Sequence, residues 1–104
     1  MDKVNHTALE KKIMKFKPVE FRMVGYPTEL FPVNLYCKMG DGLRFYIAYH
    51  CNSWDIDYTR DKSIEARVNM TCIRGFRNQT ETLKALERII KNEPYTLDVN
   101  GRVS

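Results

Sequence analysis

Apolar and polar residues alternate with period two through the middle of the chain. Leu43, Phe45, Ile47, Tyr49 and Cys51 share one side of an extended backbone, with Arg44, Tyr46, Ala48, His50 and Asn52 on the other. Ile64, Ala66, Val68, Met70 and Cys72 repeat the alternation against Glu65, Arg67, Asn69 and Thr71. Such alternation marks strands with one buried and one open face. Val19, Phe21 and Met23 give a shorter strand of the same kind, and Val33, Leu35, Cys37 and Met39 another.

Face-matching predicts the turns. A three-residue loop Gly40-Asp41-Gly42 sets Cys37 against Phe45, Leu35 against Ile47, Tyr36 against Tyr46 and Lys38 against Arg44, with Gly42 at the bulge position. A two-residue turn at Asn52-Ser53 sets Cys51 against Trp54, Tyr49 against Ile56 and His50 against Asp55. A fifth strand is expected over residues 64–73, with Arg67 beside Asp55.

Two segments change to helical spacing. Thr7-Ala8-Leu9-Glu10 is a capping box followed by Leu9, Ile13 and Phe16 on one stripe, and Pro18 ends that helix. Asn78-Gln79-Thr80-Glu81 is a second box, followed by Leu83, Leu86, Ile89 and Ile90 ahead of Pro94. Tyr95, Leu97 and Val99 alternate once more as an optional last strand. The expectation is an α+β fold: an antiparallel sheet of five to six strands with an N-terminal and a C-terminal helix packed on one face. Residues 1–104 form a single domain, with residues 1–6 expected as a flexible N-terminus.

Composition narrows the function classes. A chain of 104 residues with 43% hydrophobic and 12% aromatic content can build one core without metal or disulfide staples. The net charge of +4 is compatible with a polyanionic partner, but 13 acidic residues are mixed among 17 basic ones. The lysines of residues 11–17 read as a solvated helix face. Cys37, Cys51 and Cys72 fall in the apolar phase of their strands, where they are expected as small buried hydrophobes. No CxxC or HxxxH pair is present, so no metal and no cofactor is expected. No signal peptide and no membrane span is read, so a cytoplasmic protein with reduced thiols is expected, and three Asn-x-Thr sequons are expected to go unused.

Chemistry is sought on the expected open face. Near the Gly40–Gly42 turn it carries Tyr36, Lys38, Arg44 and Tyr46; the far end carries His50, Asp55, Asp57, Glu65 and Arg67. A two-signed aromatic face suits a protein partner or a homodimer better than a nucleic acid, whose platforms are basic throughout. Tyr26 and Phe31 lie in a stiff loop between Gly25 and Pro32, which reads either as a lid over the core edge or as a binding loop. His50 and Asp55 resemble an acid–base pair, but no nucleophile is placed to use them. Asp55, Asp57 and Glu65-Ala66-Arg67 resemble the D…ExK set of metal-dependent restriction-type nucleases, with arginine where that set has lysine. The helix–strand skeleton resembles in topology a double-stranded-RNA-binding domain. The lysine-rich approach to that family's last helix is absent, the segment here reading Arg74-Gly75-Phe76-Arg77-Asn78-Gln79-Thr80.

These residues point to a non-enzymatic binding or regulatory protein. It is of inhibitor or accessory type, as phages and mobile elements encode, and would engage a macromolecular partner through Tyr36, Lys38, Arg44, Tyr46, Tyr26 and Phe31. The alternative is an RNA or single-stranded DNA binder using Lys38, Arg44, Arg74 and Arg77. A metal-dependent nuclease is a distant third. Neither membrane nor small-molecule cofactor enters any of these readings.

Overall fold

Among the described residues, five antiparallel strands lie side by side in the order of the chain, and two helices cover one of the sheet's faces. The computed structural model describes residues 6–104, with side chains from Ala8 onward. The Thr7 cap and the flexible stretch expected for residues 1–6 fall outside that description, save that His6 opens α1 (His6–Met14). The strands are β1 (Glu20–Met23), β2 (Val33–Lys38), β3 (Arg44–His50), β4 (Ser53–Thr59) and β5 (Thr71–Phe76), followed by α2 (Gln79–Ile90).

The alternation does what period two dictates. Val33, Leu35, Cys37, Phe45, Ile47, Trp54 and Ile56 point to one side and are buried there under Leu9 and Ile13 of α1 and Ala85, Leu86 and Ile89 of α2. Each such side chain is worth roughly 1.5–3 kcal/mol of apolar burial, which is what pins the strand faces. The β2–β3 register is the expected one: Cys37 pairs with Phe45, Leu35 with Ile47, Tyr36 with Tyr46 and Lys38 with Arg44. The loop between them closes through Met39 N–H donating to the Leu43 carbonyl at 2.8 Å.

The β3–β4 hairpin differs from expectation. Its turn residues are Cys51 and Asn52, both with positive φ (50° and 59°), so His50 pairs with Ser53, Tyr49 with Trp54 and Ile47 with Ile56. The register therefore sits two residues from the expected one and keeps the same faces. A primed two-residue turn matches the strand twist, and the shift it sets stacks Tyr49 on Trp54 with ring centroids 5.0 Å apart.

The expected fifth strand is also corrected. Residues 64–70 are loop, with a 3-10 turn over Arg67–Asn69, and β5 begins only at Thr71 in the opposite phase, with Ile73 facing Ile56. Gly75 is the unpaired residue of a bulge between Arg74 and Phe76. Val68 is accordingly exposed. The cysteine expectation holds for Cys37, where burial pushes the thiol up to about 12. It fails for Cys51, which lies in the turn, and for Cys72, which lies on the other face; both are exposed.

Asn78 caps α2 by accepting from the Glu81 N–H at 2.9 Å. The Glu81 carboxylate serves elsewhere: it accepts from the Val103 N–H at 2.8 Å and from Lys84 Nζ at 3.3 Å. Arg60 closes the other end of α2, donating to the carbonyls of Ile89 and Ile90 while pairing with Asp41 at 2.6 Å. The last alternating stretch does not join the sheet. It folds as a hairpin with a single bridge between Leu97 and Val103, and Tyr95, Leu97 and Val103 pack on the core.

Candidate interaction surface

The face of the sheet away from the helices is covered at its centre. Ala48, on this side, is fully buried, and Tyr36 is only 9% exposed. One loop and the sheet's own side chains cover its tyrosines. The loop of residues 60–70 brings Arg67 over the Tyr46 ring, 4.3 Å from its centroid. There Arg67 Nε donates to Asp57 at 2.8 Å and Nη1 to Asn34 at 2.9 Å. From β1, Arg22 lies 4.7 Å over the Tyr36 ring. The tyrosine rings touch each other, centroids 5.0 Å apart. Burial, first of all, raises the Tyr36 phenol above its ordinary value. The expectation of a free tyrosine-bearing face is thereby corrected. Its aromatic surface is spent on internal cation–π contacts.

Several charged residues of this face are likewise engaged. Lys38 and Arg44 stand directly opposite, as expected, and Lys38 is exposed. Arg44 turns into the 60–64 segment, donating to the Asp61 carbonyl at 3.0 Å and to the Ile64 carbonyl. The like-charge pair is thus relieved by the chain's own carbonyls. Asp55, 3% exposed, accepts from His50 Nε2 at 2.7 Å and from Ser53 Oγ at 2.8 Å. Asp57 is taken by Arg67, and Glu65 is exposed in the loop, so the D…ExK-like set does not converge. Among the described residues no group of three His, Cys, Asp or Glu side chains could hold a metal ion.

The basic residues of the nucleic-acid alternative are not brought together. Lys38 and Arg44 share one row across the sheet, while Arg74 lies in the row of Asp55 and Ala48. That row is four residues further along, roughly 13 Å. Arg74 Nε donates to Cys72 Sγ at 3.3 Å; Arg77 is exposed beyond β5, its N–H bound to the Gly101 carbonyl.

A free apolar surface runs along the β1 edge and the loop of residues 24–32, apart from the isolated exposed Val68 and Val99. Val19 is 66% exposed, Met23 40%, Tyr26 92% and Leu30 77%. Among the described residues β1 is an edge strand, paired only with β2. The loop is fixed at three places. Val24 N–H donates to the Asn34 carbonyl at 2.8 Å, a turn links Thr28 and Phe31, and the Phe31 ring stacks flat on His50 at 4.5 Å and 3°. Phe31 is therefore the part that tucks in, and Tyr26 and Leu30 are the parts held out. Of the six expected partner-binding residues, this surface contains Tyr26 with Phe31 as its anchor; Tyr36, Tyr46 and Arg44 belong to the roofed face, and Lys38 stands at its margin. The alternation places Val19 and Met23 on the buried phase of a strand, but at the sheet edge both are exposed; Leu30 is not among the expected partner-binding residues. Their signal was present in a short apolar strand and loop punctuated by Pro18, Pro27 and Pro32.

No helix among the described residues is long and apolar enough to cross a membrane. Comparison with family models, with curated proteins and with solved structures returns no match to this chain.

Proposed function

We propose that the chain is a non-enzymatic binding protein, of accessory or inhibitor type, that engages a protein partner along the β1 edge and the 24–32 loop. The observation that carries this is the pair Tyr26 and Leu30, almost fully solvated at the tip of a loop that is pinned on both sides. Large apolar side chains held out on a rigid support cost little further ordering when a partner covers them. Val19 and Met23 extend the apolar surface, and the unpaired strand edge offers backbone groups alongside it. The same surface serves a homodimer if the partner is a second copy.

Capture from the native host with the tagged chain, compared with a Tyr26→Ser/Leu30→Ser double variant, tests the reading, with sedimentation to detect self-association. The expected result is a captured partner or a dimer that the double variant loses while its melting temperature is unchanged. A monomer that captures nothing, or a double variant that binds as the parent does, would refute it.

A further inference from the structure

A second surface lies on the helix layer, between α1 and α2, and it does not depend on the first. α1 and α2 spend their inner stripes on the sheet: Leu9 and Ile13 from one, Ala85, Leu86 and Ile89 from the other. Between them runs an open groove lined by Lys12, Lys15 and Phe16 on the α1 side and by Leu83, Lys84 and Glu87 on the α2 side. Phe16 and Leu83 are half-buried, so the base of the groove is apolar.

The rim is cationic and incompletely neutralised. Lys84 is paired with Glu81 at 3.3 Å, and Glu87 is paired with Lys91 at 2.8 Å. Lys12 and Lys15, both exposed, have neither ion pair nor hydrogen bond among the described residues. Lys12 in the last turn of α1 and Lys15 just beyond it are like charges three residues apart, which repel by a few tenths of a kcal/mol in water, a cost that an anion between them removes. On α2 the groove runs from Thr80 to Glu87, about two helical turns or roughly 10 Å.

We propose that this groove receives an acidic amphipathic helix of a protein partner, its apolar stripe on Phe16 and Leu83 and its carboxylates on Lys12 and Lys15. The chemistry selects this occupant over the other polyanions. A nucleic-acid duplex has no apolar stripe to offer the base. A membrane surface is flat and wants protruding apolar groups, whereas Phe16 and Leu83 are half-buried in a groove that also presents the exposed Lys12 and Lys15. A third helix laid between two others, by contrast, fills a groove of this kind along its length.

The test uses the full chain and a synthetic helical peptide with leucines at i, i+4 and i+7 flanked by glutamates. Its comparators are the same peptide with the leucine stripe scrambled, anionic phosphatidylserine vesicles and a mixed-sequence duplex. Fluorescence anisotropy reads affinity and amide chemical shifts read location. The proposal expects binding that weakens with salt and moves the amides of Lys12, Lys15, Leu83 and Lys84. It also expects binding about tenfold or more weaker in Lys12→Glu/Lys15→Glu but not in Lys62→Glu, an exposed loop lysine of the same charge. No peptide binding, equal binding by the scrambled peptide or by the double variant, or binding of vesicles or duplex in its place would overturn it. Circular dichroism of the double variant confirms that any loss is not unfolding.

Discussion

Replacing Arg67 with methionine removes the central pin of the sheet's roof while keeping its aliphatic reach. In the parent, Arg67 makes charge-assisted bonds to Asp57 and Asn34 and lies over Tyr46. The Asp57 side chain is 13% exposed and that of Arg67 29%, so neither partner can simply return to bulk water. A hydrogen bond to a charged group is worth about 1.5–3 kcal/mol when desolvated, and a cation–π contact about 0.5–1 kcal/mol. Discounting for the partial exposure of Arg67, the loss comes to about 2–3 kcal/mol, with a poorly paired Asp57 carboxylate the largest part of it. For a domain of this size that is a fall in melting temperature of about 10 °C. Thermal and urea denaturation of Arg67→Met, Asp57→Asn and the double variant measure it. The coupling between the two positions should be about 1 kcal/mol or more. A melting temperature within about 2 °C of the parent, or a coupling near zero, would refute the claim that the 60–70 loop is a fixed part of the fold.

Three further outcomes follow from the same coordinates. Asn52→Gly should raise stability by up to about 1 kcal/mol in a urea titration, because position 52 has φ of 59° in a primed turn that favours glycine. Gly101→Ala should cost roughly 2–4 kcal/mol by thermal denaturation: φ there is +77°, and an added Cβ would stand 2.5 Å from the Arg77 nitrogen and the Gly75 carbonyl. Acid should weaken the fold in a defined direction. The Glu81 carboxyl is held below its usual value first by the Val103 N–H, Asp41 first by Arg60, and Asp98 first by the Arg102 N–H. With folded values lowered, the unfolded chain binds more protons as pH drops, so this stability is present above about pH 4–5 and is lost as pH falls through the lower folded values. Melting temperatures measured across acidic pH should decline, and less steeply in Glu81→Gln.

How far the sequence could be read depended on whether one physical rule had competition. Strand faces in β2 and β3 were legible because a one-residue slip would expose Phe45 or Ile47, and nothing else in the chain opposes that. The Gly40–Gly42 loop followed from the same constraint. The β3–β4 turn was misplaced because a two-residue shift preserves every face, so alternation cannot choose between the registers. The choice fell to Cys51 and Asn52 adopting positive φ, which a cysteine does not advertise. Residues 64–70 alternate as a strand does, yet Arg67 reaches Asp57 and Asn34 only if this segment leaves the sheet and crosses over it. That long-range demand is invisible to periodicity, and with it went the exposure of Tyr36 and Tyr46. The 24–32 loop was legible as stiff and apolar. Which of its aromatic residues would turn in depended on Phe31 finding the flat ring of His50.

Partner contact is assigned to the β1 edge rather than to the tyrosine face. Amide hydrogen exchange on the chain, free and bound to the protein it captures from its host, tests this most directly. Protection is predicted across Val19 to Leu30, with Tyr36, Tyr46 and the 60–70 loop exchanging as in the free chain. Protection that falls instead on the 60–70 loop and the far face of β2 to β4, with the β1 edge unchanged, would contradict it.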